Sequence, residues 1–381
     1  MIQNKLSSAE KEVGGFKPAR IVHVTESLGG GVLYLLHQLI KAQIAAGFDV
    51  TLVHSIRRDT PSSGILNSLF PPPISRIVLP MVTNISLRCD LKSFRDISDL
   101  FEALQPDVIH LHSSKAGALG RAAARYVGIG GITYYSPHGF SFLRRDISRF
   151  KRAIFFLMEV LGALICGKLI VSSTSEFELA KTLVSQERIT LVENCTDIGD
   201  TSYEGTTTSK SVRIMSAGRL CYQKAPWRFW SLAMLLKVEL ADFVWIGEGE
   251  MQEMLEQNYA YKYVRVTGWV DRDRLWREML LSDVFIMTSL WEGMPLTLID
   301  AQALGLPAVV PDVVGCRDVV IDGVTGYVCK TDKDLIDKTR QLIQDAELRL
   351  RMGKAAKVMC LKRFSVQRMN REMMKIYGFP Q

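Results

Sequence analysis

The sequence lacks the features that mark secreted, disulfide-linked and membrane-spanning proteins. Its seven cysteines are scattered, odd in number and without a Cys-x-x-Cys pair, so we expect reduced thiols, as in a cytoplasm. Residues 1–20 contain no apolar core typical of a secretory signal. The most apolar region, residues 153–171, is interrupted by Glu159 and Lys168, and it falls short of the roughly 20 apolar residues that a membrane span needs. The sequence therefore predicts a cytoplasmic protein that is not integral to a membrane.

The length and composition predict two globular domains. With 381 residues, the chain is longer than a single hydrophobic core usually grows, which favours two domains of roughly 150 to 200 residues. Hydrophobic residues make up 48% of the chain and charged residues 23%, as in soluble globular proteins and unlike disordered ones.

Positive charge is concentrated in one part of the chain. The net charge of +7 invites a nucleic-acid function, but no recognition motif supports one. Residues 121–161 combine basic side chains with apolar residues at helical spacing, which predicts contact with an anionic membrane surface. A solvated basic face is the alternative. The basic residues are Arg121, Arg125, Arg144, Arg145, Arg149, Lys151 and Arg152, against Asp146, and the apolar ones are Ile147, Phe150, Ile154, Leu157, Met158 and Leu161.

Strand-like and helix-like segments alternate along both halves of the chain. The first series opens with a buried strand at residues 20–25, a glycine-rich turn and a helix at 32–46, and the second opens with a strand at 212–215. Such alternation predicts an α/β fold built on parallel, doubly wound sheets. A polar stretch, residues 196–211, is predicted to be the linker between domains 1–195 and 212–364. Residues 335–354 and 365–377 are predicted to be helical.

Residues 289–301 form the most informative stretch. A buried strand at 284–287 precedes them, Gly293 and Pro295 mark a sharp turn, and a helical pattern follows. The start of such a helix presents unpaired N–H groups and partial positive charge, which together make an anion site. Glu292 and Asp300 frame this site, although an isolated acidic residue at such a position is more often a cap or part of a solvated helix face.

This pattern resembles the signature of family 4 (group 1), a large family of retaining glycosyltransferases with the two-lobed GT-B fold. In that family two acidic residues are separated by seven residues, with Gly and Pro after the first; here Asp300 stands where Glu is usual, and its reach is shorter by about 1.5 Å. Residues 107–117 and 136–141 look like stretches of bacterial polysaccharide and O-antigen members. The resemblance implies two Rossmann-like domains facing each other, with domain 1–195 on the acceptor side, domain 212–364 binding a nucleotide sugar, and a C-terminal helix, 365–381, packing back on the first.

The resemblance also implies a role for individual residues. The catalytic pair would be Glu292, holding sugar hydroxyls near the reaction centre, and His138, contacting the sugar from the opposite lobe. Arg219 and Lys224 would hold the diphosphate, and Asp300 the ribose. Cys195 stands where the family usually has Gly in a turn before the linker. The remaining donor-binding residues would be Gly30, Gly31, Gly293, Met294, Pro295 and Leu296.

Two other groups of residues could hold a metal ion. His110 and His112 alternate on one strand and point the same way, but no third ligand with suitable spacing is evident, so a structural role is favoured. Asp271 and Asp273 form an Asp-x-Asp triplet of the kind that binds manganese, yet Asp271 is placed to cap a helix. We therefore expect no metal cofactor.

The sequence thus predicts a retaining hexosyltransferase on the inner face of the cytoplasmic membrane. It would move a sugar from a nucleotide donor, most simply a UDP-sugar, to a lipid-linked, lipopolysaccharide or capsular polysaccharide acceptor. Two alternatives remain open, a sugar-nucleotide epimerase or hydrolase of the same fold and a catalytically degenerate scaffold.

Overall fold

The first lobe is a seven-stranded parallel sheet flanked by helices. The computed structural model describes residues 18–82, 85–198, 211–236, 241–258 and 263–379. Within these residues the strand order is β3-β2-β1-β4-β5-β6-β7. The strands are β1 (Arg20–Thr25), β2 (Asp49–His54), β3 (Ser75–Val78), β4 (Val108–His112), β5 (Thr133–Ser136), β6 (Lys168–Val171) and β7 (Ile189–Leu191). The helices are α1 (Gly30–Ala45), α2 (Ser63–Leu69), α3 (Leu87–Leu104), α4 (Ser114–Tyr126), α5 (Arg149–Ile165) and α6 (Thr174–Ala180).

The second lobe repeats this plan with six described strands, again all parallel, in the order β10-β9-β8-β11-β12-β13. The strands are β8 (Val212–Ala217), β9 (Ala241–Ile246), β10 (Val264–Val266), β11 (Val284–Ile286), β12 (Ala308–Pro311) and β13 (Gly326–Cys329). The helices are α7 (Pro226–Leu235), α8 (Gln252–Asn258), α9 (Arg272–Leu280), α10 (Leu296–Ala303), α11 (Cys316–Val319), α12 (Asp332–Gln344) and α13 (Ala346–Arg363). Two parallel, doubly wound sheets confirm the predicted fold class.

The order of the strands determines where a ligand can bind. In the first sheet the order in which strands are added reverses between the neighbouring strands β1 and β4, and in the second sheet it reverses between β8 and β11. Ligands of doubly wound sheets bind beyond the carboxyl ends of the strands at such a switch point. The segments that leave these ends include the glycine turn at 29–31, Gly218 with Arg219, and residues 287–295. The sheet topology therefore brings most of the predicted site residues to one region.

The last helix, α14 (Val366–Tyr377), follows the second lobe in the chain but packs on the first. Met369, Met373 and Tyr377 lie on one face of α14 at four-residue spacing and are buried together with residues of α1. The Tyr134 hydroxyl donates to the Ile376 carbonyl at 2.8 Å. The chain thus crosses between the lobes twice, and the second crossing is held by apolar burial.

Two predicted segments differ in detail from the structure. The helical stretch predicted at 335–354 is two helices, because Asp345 interrupts it and accepts a hydrogen bond from Leu348 N at 2.8 Å as the N-cap of α13. Of the predicted linker 196–211, residues 199–210 lie outside the described residues. At its described start, Thr196 pairs with Ser365, which caps α14.

Arg121 was predicted to belong to the basic surface, but the structure places it in the interior. Its side chain is only 4% exposed, and Nη2 lies 3.1 Å from Oε2 of Glu159. The guanidinium stacks on the Tyr135 ring at 4.3 Å, and the Tyr135 hydroxyl donates to Glu159 at 2.8 Å. Gly162 leaves room for this arrangement, since a Cβ there would lie 2.4 Å from the Arg121 guanidinium. Arg121 is therefore an interior residue that joins α4 to α5.

The other face of α5 is apolar and exposed, which reverses the usual pattern of a surface helix. Its inward face carries Glu159, Gly162 and Ala163. In the described part of the chain, no helix combines the length and the apolar character needed to cross a membrane. The outward apolar residues are Phe150, Phe156, Leu157, Met158, Leu161, Leu164 and Ile165; we call them the α5 face.

Substitution of Glu159 tests the buried pair. We expect Glu159→Leu to lower the free energy of unfolding by about 3–5 kcal/mol, because Arg121 would remain charged and buried without a partner. Urea denaturation measures this change. The double variant Arg121→Met/Glu159→Leu should recover most of the loss, and a single variant as stable as the wild type would contradict the role assigned to the pair.

Candidate functional site

The N-termini of one helix from each lobe face each other across the cleft. Helix α1 begins at Gly30, whose φ is 51°, and α10 begins at Leu296. A Cβ on Gly31 would lie 3.8 Å from Cδ1 of Leu296. Pro295 is the N-cap of α10, one residue before the helix rather than in its first turn, and no side chain caps either helix. Two positive helix ends with uncapped N–H groups therefore converge, as an anionic ligand requires.

A buried ion pair lies beside these helix ends. The Nζ atom of Lys224 is 2.7 Å from Oε1 of Glu292, and the two side chains are 18% and 8% exposed. Desolvation lowers the pKa of Lys224, but the Glu292 carboxylate outweighs it, so the net shift is upward and the amine stays charged. Thr288 fixes the backbone by donating to the Lys224 carbonyl at 2.8 Å. The site thus holds a charged lysine and a carboxylate out of bulk water.

Arg219 lies in a different environment from Lys224. Its side chain is 59% exposed, and Nε is 4.0 Å from Oε2 of Glu250. Gly218, with a φ of 145°, brings the turn close to Lys224, since a Cβ there would lie 3.1 Å from Cε of Lys224. The guanidinium is therefore at the open rim of the cleft, where it can meet an anion before Lys224 does.

The loop that carries His138 closes against the turn that carries Glu292. A Cβ on Gly293 would lie 2.7 Å from the Gly139 amide nitrogen and 2.8 Å from the His138 carbonyl carbon. His138 has a φ of 53° and Gly139 a φ of 99°, both in the left-handed region. The two predicted catalytic residues, His138 and Glu292, are brought together by this backbone contact between the lobes.

Three side chains hold this arrangement through contacts that the sequence pattern does not predict. Glu176 is fully buried and accepts from Gly139 N at 3.0 Å, and its burial raises its pKa. Asp318 accepts from Ser175 N of the opposite lobe at 2.8 Å, and Asn194 donates to the Met294 carbonyl at 2.8 Å. The Ser-x-x-Glu pattern ending at Glu176 suggests only a helix cap, and nothing in the sequence indicates the partner of Asp318.

Asp300 is enclosed by protein groups. Its side chain is 2% exposed; Oδ1 lies 2.9 Å from Nη2 of Arg272, and Oδ2 accepts from Trp276 Nε1 at 3.2 Å. Desolvation raises the pKa of Asp300, with Arg272 acting in the opposite direction. Arg272 also lies over the Tyr34 ring of the other lobe at 4.5 Å. Both carboxylate oxygens of Asp300 are therefore bound to protein groups, and the ribose contact stays a prediction.

The Asp-x-Asp triplet behaves as a helix start. Asp271 is the N-cap of α9, and its carboxylate accepts from Arg274 N at 2.8 Å. Asp273 lies in the first turn, where a negative charge favours the helix. The capping role predicted for Asp271 is confirmed.

A histidine cluster lies under the His138 loop. His23 of β1 stands beside His110 of β4 in the sheet register, and with His112 they form a set whose ligand atoms lie within 4.8 Å of one another. His23 is 87 residues from His110 in the sequence, so the sequence pattern does not indicate that the two lie together. Three imidazoles can hold a metal ion, but here each ring nitrogen is already hydrogen-bonded to protein. Burial lowers the pKa of all three, to about 4 for His23.

Two family models match the chain, one on each lobe. Residues 29–200 match the model described as Glycosyltransferase Family 4. Residues 204–359 match the model described as Glycosyl transferases group 1. Together the two models span most of the chain.

Bacterial glycosyltransferases are among the relatives of this chain. The Escherichia coli UDP-Gal:alpha-D-GlcNAc-diphosphoundecaprenol alpha-1,3-galactosyltransferase is 29% identical over 304 residues, covering 74% of this chain and 76% of that protein. The capsular polysaccharide biosynthesis glycosyltransferase CapM of Staphylococcus aureus is 24% identical over 331 residues, covering 79% and 84%.

Solved structures share the fold over nearly the whole chain. Sucrose-phosphate synthase from Thermosynechococcus elongatus superposes with a TM-score of 0.77 at 17% identity, covering 94% of this chain and 98% of that one. Anabaena Alr3699/HepE in complex with UDP-glucose gives a TM-score of 0.74 at 14% identity, covering 94% and 99%. The fold is thus the two-lobed GT-B arrangement.

Substitution of Gly293 tests the contact between the lobes. We expect Gly293→Ala to separate them, because the added Cβ would overlap backbone atoms of the opposite lobe, and such overpacking typically costs about 1–3 kcal/mol. Small-angle X-ray scattering should give a larger radius of gyration than for the wild type. Gly64→Ala is the matched control, since nothing lies within 4 Å of its Cβ position. Identical scattering and unfolding curves for Gly293→Ala would refute the contact.

Proposed function

The chain belongs to the family 4, group 1 glycosyltransferases, and we propose that it transfers a hexosyl group from a UDP-sugar to a lipid-linked oligosaccharide or polysaccharide acceptor. The observation that carries this proposal is the buried Lys224–Glu292 pair beside two converging helix N-termini. A nucleotide sugar is a diphosphate joined to a polyol, and this pair offers one charged group suited to each part.

The diphosphate is held by positive groups from both lobes. Lys224 supplies a desolvated charge, Arg219 a planar fork at the rim, and the N–H groups at the start of α10 complete the cradle. Gly30 and Gly31 let the phosphates approach the start of α1 without a side chain in the way. We propose that these groups neutralise the leaving diphosphate without a metal ion.

Glu292 and His138 act on the sugar from opposite lobes. When a donor phosphate binds Lys224, the ion pair between Lys224 and Glu292 breaks. The Glu292 carboxylate can then accept hydrogen bonds from sugar hydroxyls. The bond between the anomeric carbon and the diphosphate oxygen breaks, and its electron pair leaves with the diphosphate. The acceptor hydroxyl oxygen bonds to that carbon, and its proton passes to the departing phosphate. We propose retention at the anomeric carbon, the stereochemistry that the family resemblance implies.

The class of donor and acceptor is drawn from the relatives. The galactosyltransferase of Escherichia coli is named for a UDP-sugar donor and a diphosphoundecaprenol-linked acceptor, and CapM for capsular polysaccharide biosynthesis. The Anabaena structure contains UDP-glucose. These chemistries support a UDP-sugar donor and an acceptor anchored in lipid.

A lipid-anchored acceptor gives the α5 face a function. Seven apolar side chains are exposed there on one helix, and Arg145, Arg149 and Lys151 are exposed at its start. Apolar burial combined with basic charge is the pattern of helices that bind anionic membrane surfaces. We propose that the α5 face holds the acceptor lobe peripherally on the inner face of the cytoplasmic membrane.

Nucleotide titrations in EDTA test the donor site. We expect UDP and one UDP-sugar, rather than GDP or ADP and their conjugates, to raise the thermal stability by mass action. Lys224→Met should weaken UDP binding about 10- to 100-fold, as loss of a charged hydrogen bond costs about 1.5–3 kcal/mol. Glu292→Gln should keep UDP affinity and lose the extra affinity for the sugar conjugate.

Lys333→Met, an exposed position of α12 on the same lobe, is the control and should titrate like the wild type. Unchanged heats for Lys224→Met would refute its phosphate role. If UDP binding required Mn²⁺, a metal ion would neutralise the diphosphate, and the proposed metal-free site would be wrong. Release of UDP without any acceptor would favour a hydrolase.

Vesicle sedimentation tests the α5 face. We expect binding to vesicles of phosphatidylglycerol but little to vesicles of phosphatidylcholine alone. The triple variant Leu157→Ser/Leu161→Ser/Leu164→Ser should lose at least about tenfold in partitioning, since a fully buried leucine contributes about 1.5–3 kcal/mol. Val358→Ser removes an apolar side chain that is 71% exposed on the other lobe and should have no effect. Equal binding of the triple variant would refute the membrane role.

A further inference from the structure

A chain of four side chains leads from the interior of the first lobe to His138. Oε1 of Gln43 lies 2.8 Å from Nε2 of His23, and Nδ1 of His23 lies 3.0 Å from Nε2 of His112. Nδ1 of His112 then lies 2.9 Å from Nε2 of His138. The first three residues of this chain are buried, with exposures of 0% for Gln43, 0% for His23 and 1% for His112.

We infer that Gln43 and His23 are positioning residues that set the tautomer of His138 through His112. A neutral imidazole has one donor and one acceptor nitrogen, so in a chain of imidazoles the direction of one hydrogen bond fixes all the others. The amide oxygen of Gln43 can only accept, and His23 therefore donates from Nε2. It follows that His112 donates from Nε2 to His23, and that His138 donates from Nε2 to His112.

The consequence appears at the last nitrogen of the chain. With the proton on Nε2, Nδ1 of His138 carries a lone pair, and no residue that the structure describes hydrogen-bonds to it. An acceptor nitrogen is matched to a hydroxyl proton and mismatched to a phosphate oxygen. Resting on the proposed function, this assigns His138 to accept a hydrogen bond from a hydroxyl of the donor sugar.

The neutral state of the chain has a physical cause. Burial lowers the pKa of His138 and of His23 to about 4, and that of His112 well below its usual value. The ring planes of His112 and His138 are 5° apart, and their centroids are 5.2 Å apart. A turn of either ring would break the hydrogen bond between them. A metal on His23, His110 and His112 would need nitrogens that already hydrogen-bond to protein atoms.

Histidine ¹⁵N spectroscopy of the full chain tests the inference without substrate, so its outcome is independent of the proposed function. The His138 signals, identified by their loss in His138→Gln, should show a protonated Nε2 and an unprotonated Nδ1. Gln43→Met removes the acceptor and should convert this single tautomer into a mixture. Gln43→Glu offers only acceptor oxygens when its carboxylate is ionised, and at a pH where it is ionised it should restore the single tautomer.

Ser136→Ala is the matched control, because Ser136 is hydrogen-bonded to His110 at 2.8 Å and His110 is not one of the four hydrogen-bonded side chains that end at His138. This substitution should leave the His138 signals unchanged. A proton on Nδ1 of His138 in the wild type would overturn the inference. So would a His138 spectrum that Gln43→Met does not alter, or a stoichiometric metal ion whose removal shifts the His23 and His112 signals.

Discussion

The site depends on the close approach of two glycine backbones, Gly139 in one lobe and Gly293 in the other. A Cβ at Gly293 would lie 2.7 Å from the Gly139 nitrogen, so only a residue without a side chain permits this contact. Each glycine is next in sequence to a predicted catalytic residue, His138 or Glu292. The contact therefore brings two loops on separate sheets together, and Glu176 holds the first of them by accepting from the Gly139 amide at 3.0 Å.

The two acidic residues of the motif, Glu292 and Asp300, are each paired with a cation. Lys224 and Glu292 face each other at the helix ends, and the proposed donor would separate them by binding one group to each. Arg272 and Asp300 are paired more deeply, and separating them would leave a buried charge, which is costly. The shorter Asp300 is thus held within the protein, whereas Glu292 lies beside the two helix ends.

The sequence predicts the sheets, the helix starts and the turn at Gly293 well, because these depend on local patterns of apolar residues, glycine and capping side chains. It does not predict which residues meet across the fold. His23 lies 87 residues from its neighbour His110, and Asp318 contacts a backbone nitrogen 143 residues away. The surface position predicted for Arg121 is wrong for a related reason. A local run of positive charge indicates a surface, and only the packing of α4 on α5 reveals that Arg121 has a buried partner, Glu159.

Helix α5 shows how packing can reverse the meaning of a pattern. An amphipathic helix normally buries its apolar face, yet α5 buries a carboxylate, a glycine and an alanine and exposes phenylalanine and leucine. The inward carboxylate is stabilised because Arg121 and Tyr135 bind it. The outward apolar side chains are 36–76% exposed, so the fold of this chain leaves much of their apolar surface in water. Their cost would be offset if another apolar phase covered them, which supports the membrane contact proposed for the α5 face.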